Sequence, residues 1–536
     1  MTSFRIRELG TVNYQDSYDI QRALLNCSDS YLLLMEHYPV YTVGKHGDER
    51  NFLGDNPDEL IQVDRGGDVT FHGPGQIVGY PILNIGRGPE NVKRHVNLIE
   101  DLLIKVLSDI GVKGARKIDE FPGVWIERDD DLKKIAAIGV RVSDGRTYHG
   151  FALNVNVDLA YYDKIVPCGI SDKGVTSLKQ EGFDLSVKQV IELIVENAGD
   201  FLIGVKGIPI DRVVLDHDLD LGNVSDGSSS KITLKRLSKA KVFQLREIEV
   251  NEPKPVQFKK KALFNRDYIS LKNQLQDLNL VTVCEEAKCP NISECYSSGT
   301  ATFMIAGDIC TRGCSFCNVK TAKPNVLDVN EPDRVADAIL KMGLKHAVIT
   351  SVARDDLSDG GAEHWVNVIN AVRTKCPGVS IEVLIPDYKG NRSSWRDVFD
   401  AAPDILNHNV ETVPRLQKAV RPSASYGRSL ALLAKAHERG LVTKSGIILG
   451  LGETKSEVES VIADLASINV SIVTVGQYLR PKQWHQPVIK YYSNDEFEEF
   501  KFIGESLGIG HVEASPLTRS SYHAKESFDK TQLSNV

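Results

Sequence analysis

The chain has 536 residues, of which 42% are hydrophobic and 25% are charged, and its formal net charge is −8. At about 150 residues per domain, this length allows three or four domains, or two larger ones. The acidic balance argues against nucleic acid as the main partner, because phosphate binding requires a basic surface. No apolar run reaches the roughly 20 residues that a membrane-spanning helix needs, and residues 1–10 lack the apolar core of a secretory signal. We therefore expect a cytoplasmic protein whose partners are neither nucleic acid nor membrane.

The first part of the chain mixes predicted strands and helices. Strands are predicted where apolar residues form short runs, at residues 31–35, 77–83, 135–142 and 148–157. Helical spacing of apolar residues predicts an amphipathic helix over residues 92–110, and Ser186 begins a predicted capped helix that ends at Leu202. This order indicates an α+β domain around a mixed sheet, which we assign to residues 1–213. The Asp-, Gly- and Ser-rich segment that follows is typical of a flexible linker, which we place at residues 214–253.

Three segments of the first domain point to acyl chemistry. Residues 65–72 form a glycine-rich loop, which allows backbone to approach a ligand closely. Lys134 stands at the head of an apolar strand, and Cys168 lies in a loop of small residues. A cysteine attacks as its thiolate, which a nearby ammonium group favours, so a Cys–Lys pair could transfer an acyl group through a thioester. The alternatives are an ordinary turn, a solvated strand end and a buried apolar thiol.

These segments resemble the lipoyl(octanoyl) transferase family over residues 31–177. The shared motifs also include GVW at 123–125, HGFALNV at 149–155 and VTS at 175–177. The resemblance implies the fold of biotin and lipoate ligases, an acyl-enzyme that Cys168 forms with octanoate from acyl carrier protein, and Lys134 as the catalytic lysine. It also implies that three segments bind the acyl substrate, namely Arg65, Gly66, Gly67, Asp68, Val69, Thr70, Phe71 and His72; Ala137, Ile138 and Gly139; and Gly150, Phe151 and Ala152.

An ATP-dependent lipoate ligase is the alternative for this domain. Such a ligase works through an acyl-adenylate and needs no cysteine, so Cys168 favours the transferase. His72 precedes a Gly-Pro-Gly loop, which favours a role at the site over a place in the core.

The second part of the chain alternates strand-like and helical runs. Strands are predicted at residues 301–305, 346–351, 380–385, 404–410, 443–451 and 472–479. Helices are predicted between them, for example over residues 331–342 and 455–467. Such alternation predicts a parallel sheet, and about six repeats indicate an α/β barrel, complete or partial. We assign residues 254–536 to this domain and expect a partial (β/α)6 barrel.

Six of the nine cysteines fall between residues 284 and 317. Cys310, Cys314 and Cys317 follow the first barrel strand with C-x3-C-x2-C spacing, and three thiolates on one loop can bind three irons of a [4Fe–4S] cube. A zinc knuckle or spare thiols is the alternative, although structural zinc normally takes four ligands. The spacing resembles the radical-SAM superfamily signature. The resemblance implies that S-adenosylmethionine chelates the open iron and that one electron cleaves it to a 5′-deoxyadenosyl radical.

Two pairs of residues at predicted strand ends are candidates for contacts with S-adenosylmethionine or substrate. Asn409 and Glu411 supply polar groups. Gly450 and Gly452 would let backbone approach the cofactor, or they form an ordinary tight turn.

A second cysteine triplet, Cys284, Cys289 and Cys295, has C-x4-C-x5-C spacing and again leaves one iron short of a ligand. Together with ATFM at 301–304, TSVARDD at 350–356, TKSG at 443–446 and RSSYH at 519–523, it resembles the lipoyl synthase family over most of the second domain. The resemblance implies an auxiliary [4Fe–4S] cluster whose fourth iron is ligated by Ser521, with Ser520 as the alternative. It also implies hydrogen abstraction from C6 and C8 of a protein-bound octanoyl chain and the supply of two sulfurs by that cluster.

The two resemblances together predict a bifunctional enzyme of lipoate biosynthesis with two [4Fe–4S] clusters and S-adenosylmethionine. The first domain would transfer octanoyl from acyl carrier protein to a lysine of a lipoyl domain, and the second would insert the two sulfurs. The expected partners are octanoyl acyl carrier protein, the lipoyl domains of 2-oxoacid dehydrogenases, the glycine cleavage H protein, and an electron donor such as ferredoxin or flavodoxin. A non-catalytic iron–sulfur or zinc scaffold that binds acylated domains is the alternative from another class.

Overall fold

The structure is a computed structural model of the chain. It describes residues 4–56, 59–128, 131–166, 173–205, 208–214, 281–282, 291–292, 302–482, 484–522 and 524–528. The predicted linker beyond Val214 and four of the predicted site residues lie outside these ranges, namely Cys168, Cys284, Cys289 and Cys295. The chain divides into two units, Met1–Leu215 and Asp216–Val536, and each is described by itself.

The N-terminal unit is built on a mixed sheet. Its strands are β1 (Phe4–Val12), β2 (Ser30–His37), β3 (Val40–Val43), β4 (Leu60–Gln62), β5 (Thr70–His72), β6 (Gln76–Ile82), β7 (Ala115–Arg116), β8 (Gly123–Arg128), β9 (Asp131–Ser143), β10 (Arg146–Asn154), β11 (Gly174–Val175) and β12 (Ile210–Val214). Its helices are α1 (Tyr14–Leu24), α2 (Pro89–Ile110) and α3 (Val187–Ala198), with a π-helix at Gly199–Ile203 and 3-10 turns at Glu49–Asn51 and Leu159–Lys164.

The main sheet has the order β12-β1-β2-β6-β10-β9-β8-β7, and β11 pairs with β9. β1 runs parallel to β12 and β2, whereas β6, β8 and β10 pair antiparallel with their neighbours. One face of the sheet packs against α2 and α3 around a large apolar core. A smaller sheet, β4-β3-β5, has its own core around Tyr41 and Phe71. The α+β domain around a mixed sheet is therefore confirmed.

The two longer predicted helices begin and end for local reasons. α2 has Pro89 in its first turn, and Gly111 ends it in a left-handed conformation whose N–H donates to the carbonyls of Leu107 and Ser108. Ser186 caps α3 through a capping box with Gln189, a device worth about 1 kcal/mol. Both predicted helices are confirmed, but the second is α-helical only to Ala198, because a π-helix continues it.

The C-terminal unit alternates strands and helices. Its strands are β13 (Val281–Thr282), β14 (Thr302–Ile305), β15 (Ile309–Cys310), β16 (Lys320–Thr321), β17 (His346–Ser351), β18 (Ser380–Leu384), β19 (Ile405–Asn407), β20 (Val442–Leu449), β21 (Ile472–Gln477) and β22 (His511–Ser515). Its helices are α4 (Glu331–Lys341), α5 (Ala362–Lys375), α6 (Arg392–Asp400), α7 (Gln417–Val420), α8 (Tyr426–Glu438), α9 (Lys455–Ser467) and α10 (Asn494–Ser506), with 3-10 turns at Tyr388–Gly390 and Pro414–Leu416.

Eight strands of this unit form one sheet in the order β13-β14-β17-β18-β19-β20-β21-β22, and β15 and β16 pair in a separate two-stranded sheet. All neighbours from β14 to β22 are parallel, and only the edge strand β13 is antiparallel. Among the described residues the two edges do not pair, so the barrel is partial. The six predicted strands are confirmed, and β22 adds a seventh parallel strand that the sequence pattern did not reveal.

Candidate functional site

The three predicted acyl-binding segments of the N-terminal unit meet at one cavity of about 40 Å³, which we name the inner cavity. Its lining comprises Tyr14, Arg65, Gly67, Asp68, Thr70, His72, Val78, Tyr80, Ala137, Ile138, Gly139, His149, Gly150, Phe151 and Ala152. The floor is the sheet face of β6, β10 and β9, where Val78 and Ala137 pair with Ala152 from either side. The lining residues lie up to 138 positions apart in the sequence, from Tyr14 to Ala152, and converge on one site.

Along residues 69–72, the side chains point alternately to the inner cavity and to the core of the smaller sheet. Thr70 and His72 line the inner cavity, whereas Val69 and Phe71 are fully buried in the core of the smaller sheet. Successive side chains of a strand point to opposite faces, so a continuous segment cannot present every residue to a ligand. Val69, Phe71 and Gly66 are not part of the cavity lining.

A β-bulge places Lys134 on the same face of β9 as the cavity residues. Val124 pairs with Ala136 and Trp125 pairs with Lys134, so Ile135 is an extra residue in β9. Ile135 and Ala136 both lie in the large core on the opposite face. Without the extra residue, alternation would set Lys134 and Ala137 on opposite faces.

The Lys134 side chain is buried, with 6% of its surface exposed. Its Nζ donates to the carbonyl of Pro122 at 3.3 Å and lies 4.6 Å from the centre of the Trp125 ring. Gly123 permits this close packing, because a Cβ there would lie 2.5 Å from the carbonyl oxygen of Ala136. The motif GVW at 123–125 thus forms the surroundings of Lys134.

The described residues that flank the loop of Cys168 reach the same strand. β11 pairs with β9 at Lys133 and Lys134, and the Thr176 N–H donates to the Lys134 carbonyl at 3.0 Å. Cys168 itself lies outside the described residues, and the sequence separates it from Gly174 by only six positions. Its pairing with Lys134 stays a prediction.

A chain of hydrogen bonds connects His72 to the strand of Lys134. His72 Nδ1 lies 2.8 Å from Gln76 Oε1, Gln76 Nε2 donates to Asn154 Oδ1 at 2.9 Å, and Asn154 Nδ2 donates to the Thr176 carbonyl at 2.9 Å. Burial lowers the pKa of His72 to about 3. His72 therefore lies at the cavity as a neutral ring that can orient a substrate but does not carry charge at neutral pH.

In the C-terminal unit, a cavity of about 250 Å³ lies at the carboxyl ends of the parallel strands; we name it the barrel cavity. Four consecutive strand ends contribute to it, through Met304 of β14, Thr350 of β17, Leu384 of β18, and Asn409 and Glu411 after β19. Cys310, Cys314 and Cys317 line the same cavity. The structure thus brings the three predicted cluster ligands and both predicted polar residues together where active sites of parallel α/β folds lie.

The cysteine loop is fixed by residues that the sequence analysis did not single out. Arg312 binds Asp355 through two hydrogen bonds of 2.8 Å, and its Nη2 lies 2.7 Å from Asp387. On the other side, Ser315 Oγ donates to Gln486 Oε1 at 2.8 Å. Asp355 and Asp387 lie 43 and 75 positions from Arg312, and Gln486 lies 171 positions from Ser315. No local sequence pattern predicts these contacts.

The sulfur atoms have surroundings that fit a cluster. Cys310 Sγ accepts the N–H groups of Arg312 at 3.4 Å and Ala353 at 3.3 Å, and backbone donors to sulfur tune iron–sulfur centres. Burial raises the pKa of Cys314 to about 12 and that of Cys317 to about 11. These thiols are therefore neutral without a bound cation, and loading a metal would release their protons.

No group of three or more His, Cys, Asp and Glu residues within the described part of the chain is arranged to hold a single metal ion. A closed zinc site brings its ligands round one ion, whereas each thiolate of a cube binds a different iron. The three thiols around the barrel cavity are the donor set that one [4Fe–4S] cube takes from a single loop.

Asn409 and Glu411 form a polar group beside the barrel cavity. Asn409 Nδ2 donates to Glu411 Oε1 at 3.1 Å and to Ser520 Oγ at 2.7 Å. Gly446 makes room for this arrangement, because a Cβ there would lie 2.7 Å from Asn409 Oδ1. Burial raises the pKa of Glu411, although Arg421 opposes the shift. Polar groups here can bind the amino and hydroxyl groups of a ligand.

Gly450 and Gly452 form a tight turn after β20 and do not line the barrel cavity. Both have positive φ values, of 99° and 114°. The N–H groups of Gly450 and Leu451 donate to the Glu453 carboxylate at 2.5 and 2.9 Å. These contacts account for the glycines as turn residues, and their contact with S-adenosylmethionine stays a prediction.

Asn291 contacts the chain just before the C-terminal motif. Asn291, between Cys289 and Cys295 in the sequence, donates from Nδ2 to the Leu517 carbonyl at 2.6 Å. Leu517 precedes Ser520 and Ser521 by three and four positions. Ser520 binds Asn409, and which of the two serines ligates a cluster stays a prediction because the three cysteines lie outside the described residues.

No helix in the described ranges is both long enough and apolar enough to cross a membrane.

Two family models match the chain. The lipoyl protein ligase A/B catalytic domain matches residues 13–199, and the radical SAM superfamily matches residues 304–465. The first range contains the inner cavity and Lys134, and the second contains the barrel cavity and the Cys310–Cys317 loop.

Curated lipoyl synthases match about half of the chain. A lipoyl synthase of Rubrobacter xylanophilus is 53% identical over 264 residues, which is 49% of this chain and 82% of the relative. A lipoyl synthase of Shouchella clausii is 52% identical over 290 residues, which is 54% of this chain and 94% of the relative. A structure of the bipartite lipoate protein ligase and its E2 lipoyl domain from Thermoplasma acidophilum aligns with a TM-score of 0.34 and 14% identity, over 40% of this chain and 88% of that one; a score of this size carries no weight by itself.

Radical SAM enzymes of the lipoyl synthase type use S-adenosylmethionine and iron–sulfur clusters, and the thiols of the barrel cavity fit that requirement. The chain belongs to the lipoyl synthase family and carries, ahead of its radical-SAM domain, a catalytic domain of the lipoyl protein ligase A/B type.

Proposed function

We propose that the two domains catalyse consecutive steps on one protein-bound chain. The N-terminal domain transfers octanoyl from acyl carrier protein to a lysine of a lipoyl domain, and the C-terminal domain inserts sulfur at C6 and C8 to give lipoyl. The observation that carries the proposal is the presence in one chain of an inner cavity beside a buried lysine and a barrel cavity lined by three thiols. A tether between the two sites raises the effective concentration of the second site.

In the transfer step, the Cys168 thiolate attacks the carbonyl carbon of the octanoyl thioester. The C–S bond to the carrier breaks, and the carrier thiol leaves with a proton. The amine of the target lysine then attacks the Cys168 thioester, so that an amide forms and the thiol is regenerated. Lys134 supports this chemistry, because its ammonium group lies on the cavity face of β9 beside the strand that follows the Cys168 loop. A positive charge there favours the thiolate and can exchange protons with the leaving and attacking groups.

In the sulfur-insertion step, Cys310, Cys314 and Cys317 would hold one [4Fe–4S] cluster, and Cys284, Cys289, Cys295 and Ser521 would hold a second. The chemistry supplied there would be the electron that cleaves S-adenosylmethionine, from the first, and the sulfur atoms, from the second. Arg312 and the backbone N–H of Ala353 hold the cysteine loop and orient its sulfurs. Asn409 and Glu411 bind polar groups of S-adenosylmethionine or of the substrate, and the hydrogen bond from Asn291 to Leu517 supports the approach of the second triplet to the C-terminal serines.

The partners follow from these two reactions. Octanoyl acyl carrier protein supplies the chain, and lipoyl domains of 2-oxoacid dehydrogenases and the glycine cleavage H protein receive it. A small electron-transfer protein such as ferredoxin or flavodoxin supplies electrons. We place the reactions in the cytoplasm, where such carriers are found.

The covalent route is tested by replacing Cys168 and Lys134. With octanoyl acyl carrier protein and an apo-lipoyl domain, Cys168→Ser should abolish transfer and the trapped octanoyl-enzyme, whereas Cys376→Ser should retain both, because Cys376 is a buried thiol at the end of α5. Lys134→Met should slow formation of the octanoyl-enzyme. Full transfer by Cys168→Ser, or transfer that requires ATP and free octanoate, would favour the ligase instead.

The assignment of the two clusters is tested by one replacement in each triplet. Cys310→Ala should abolish cleavage of S-adenosylmethionine. Cys284→Ala should retain cleavage, lose about half of the bound iron and fail to form lipoyl. Loss of cleavage in both variants would contradict the separate roles, and a chain that binds zinc without labile sulfide would point to a scaffold.

A further inference from the structure

Trp484 differs from the other tryptophans of the chain because it lies at the surface, beside the cysteine loop. The other three tryptophans are each 1% exposed, whereas Trp484 is 52% exposed. Its ring stacks on that of His485, with 5.7 Å between the ring centres and an interplanar angle of 25°. Lys482 Nζ lies 4.7 Å from the centre of the Trp484 ring. Exposed tryptophans are among the residues that most often anchor protein–protein interfaces.

The segment that carries Trp484 contacts the cysteine loop directly. His485 Nε2 lies 3.0 Å from the carbonyl oxygen of Cys317. The Gln486 N–H donates to the Ser315 carbonyl at 3.2 Å, and Ser315 Oγ donates to Gln486 Oε1 at 2.8 Å. Gln486 is fully buried. Trp484 therefore lies on a fixed support, next in sequence to a residue that contacts a predicted cluster ligand.

The two segments that meet at this contact carry positive charge only. Residues 309–323 include the cysteine loop and residues 478–490 include Trp484, and neither segment contains Asp or Glu. Six basic residues lie in the two segments, namely Arg312, Lys320, Lys323, Arg480, Lys482 and Lys490. Arg312 and Lys490 pair with carboxylates from other segments. On a chain whose net charge is −8, this local positive surface favours an acidic partner.

Lys482 and Trp484, which we name the tryptophan patch, lie outside the barrel cavity. No described residue of the segment 478–490 lines that cavity, whereas Phe316 and Cys317 do. The loop thus presents its thiols to the cavity and the Cys317 carbonyl to the segment that carries the patch. A protein bound at the patch would leave the cavity open to S-adenosylmethionine and the octanoyl chain.

The proposed sulfur insertion requires a partner that approaches this loop. One electron breaks a C–S bond of S-adenosylmethionine and gives methionine and the 5′-deoxyadenosyl radical, so each cleavage takes an electron from outside the chain. The carrier that brings it must bind briefly and leave to be reduced again. Electron-transfer encounters use small interfaces, below about 1,200 Å², and complementary charge speeds their formation. One exposed aromatic ring among basic residues matches that description.

We propose that the tryptophan patch docks an acidic one-electron carrier protein, which delivers its electron to the Cys310–Cys317 loop. Lys482 supplies charge that steers the carrier, and Trp484 supplies the apolar contact at the centre of the encounter. This inference rests on the proposed sulfur insertion and adds the surface through which the electron enters. Neither residue takes part in the cleavage of S-adenosylmethionine.

The test measures flavodoxin binding and flavodoxin-dependent cleavage with the reconstituted full chain. Cleavage is read from the 5′-deoxyadenosine formed with reduced flavodoxin or with dithionite, a small reductant that needs no docking surface. The dissociation constant of flavodoxin is measured by titration calorimetry at two salt concentrations. Wild-type binding should weaken between about 0.1 M and 1 M salt, because the Debye length falls from about 10 Å to about 3 Å.

Replacing either patch residue should weaken the encounter with flavodoxin alone. Lys482→Glu should raise the dissociation constant about tenfold at the lower salt concentration, and Trp484→Ala should raise it about tenfold at both. Flavodoxin-dependent cleavage at low carrier concentration should fall by the same factor, while dithionite-dependent cleavage keeps the wild-type rate. The matched controls are Lys345→Glu, an exposed lysine directly before β17 at the opposite end of the strands, and Phe502→Ala, a 72% exposed aromatic on α10. Both controls should bind and cleave as the wild type does.

Wild-type binding and flavodoxin-dependent cleavage in both patch variants would overturn the inference. An equal fall of cleavage with both reductants would overturn it as well, since the patch would then only support the cysteine loop. Weaker binding of an octanoylated lipoyl domain, with unchanged binding of flavodoxin, would assign the patch to the substrate instead.

The failure of the docking surface differs from the failure of the proposed function. A wild type that cleaves S-adenosylmethionine with dithionite but binds neither flavodoxin nor a plant-type ferredoxin has no such docking surface. A reconstituted wild type that forms no 5′-deoxyadenosine even with dithionite would contradict the radical chemistry itself.

Discussion

Arg312 gives the most direct way to disturb the cysteine loop without touching a cysteine. It lies between Cys310 and Cys314, its side chain is 8% exposed, and it contacts two carboxylates at 2.7 to 2.8 Å. Burial alone would lower the pKa of Arg312, but Asp355 and Asp387 outweigh this effect and raise it. The guanidinium therefore stays charged and ties the loop to the strand ends at every accessible pH.

Arg312→Met removes three short contacts at once. Loss of one partner of a buried ion pair costs about 3–5 kcal/mol. We expect the lower end of that range, because Asp387 keeps Arg428 at 3.1 Å and Asp355 is partly exposed. A cost of about 3 kcal/mol, if it falls on the loop, lowers the equilibrium constant for forming the cluster-binding loop roughly 100-fold.

The assay is iron and labile sulfide per chain after anaerobic reconstitution, together with cleavage of S-adenosylmethionine to 5′-deoxyadenosine. Arg312→Met should lose about half of the iron and most of the cleavage, while octanoyl transfer by the N-terminal domain remains. Arg373→Met is the control, because it removes an ion pair with Asp404 whose two side chains are 37% and 31% exposed, and such pairs contribute about 0–1 kcal/mol. A folded Arg312→Met protein with wild-type cluster content and cleavage would refute this reasoning.

Two further predictions concern stability. Lys444 and Glu382 are both fully buried, with 2.9 Å between Nζ and Oε1. Lys444→Met should therefore destabilise the C-terminal unit by about 3–5 kcal/mol, because it leaves a buried carboxylate without its partner. The double variant Lys444→Met/Glu382→Leu should regain most of the lost stability in thermal unfolding, and an equal loss in both variants would contradict the prediction. Burial lowers the pKa of His72 to about 3 and that of His37 to about 4, from 6.5. Below pH 6.5 the histidines of the unfolded chain bind protons, whereas these two rings stay neutral in the folded chain. The free energy of unfolding of the N-terminal unit should therefore fall by up to about 1.4 kcal/mol per pH unit for each ring as the pH falls towards 4. His72→Gln should reduce this pH dependence in urea unfolding, and an unchanged pH dependence would contradict a buried neutral ring.

The elements that the sequence predicted well are those whose patterns are long or strongly apolar. Strand β14, strands β17 to β21 and helices α4 and α9 lie within a few residues of their predicted positions, because alternation of buried strands and amphipathic helices leaves a clear periodic signal. β22 was missed because His511–Ser515 carries only one large apolar residue, Val512. Its place in the sheet depends on pairing with β21 rather than on its own composition.

The site residues divide in the same way. Glycine-rich and cysteine-rich motifs marked the cavity-lining segments, and the structure brings those segments together. The bulge at Ile135 could not be predicted, because a continuous run of apolar residues shows no change in its pattern where the register shifts. Tyr14, Arg312 and Gln486 were missed because each acts through contacts with distant segments, and a single tyrosine, arginine or glutamine has no local signature of that role.

The central claim is that one chain both places octanoyl on a lipoyl domain and converts it to lipoyl. The measurement that tests it most directly is the intact mass of an apo-lipoyl domain after anaerobic incubation with the reconstituted protein, octanoyl acyl carrier protein, S-adenosylmethionine and a reductant. The account predicts an octanoyl product first and then the lipoyl product in the same mixture. An octanoyl product that never gains sulfur would contradict the role of the second cluster, and an unmodified lipoyl domain would contradict the transfer step.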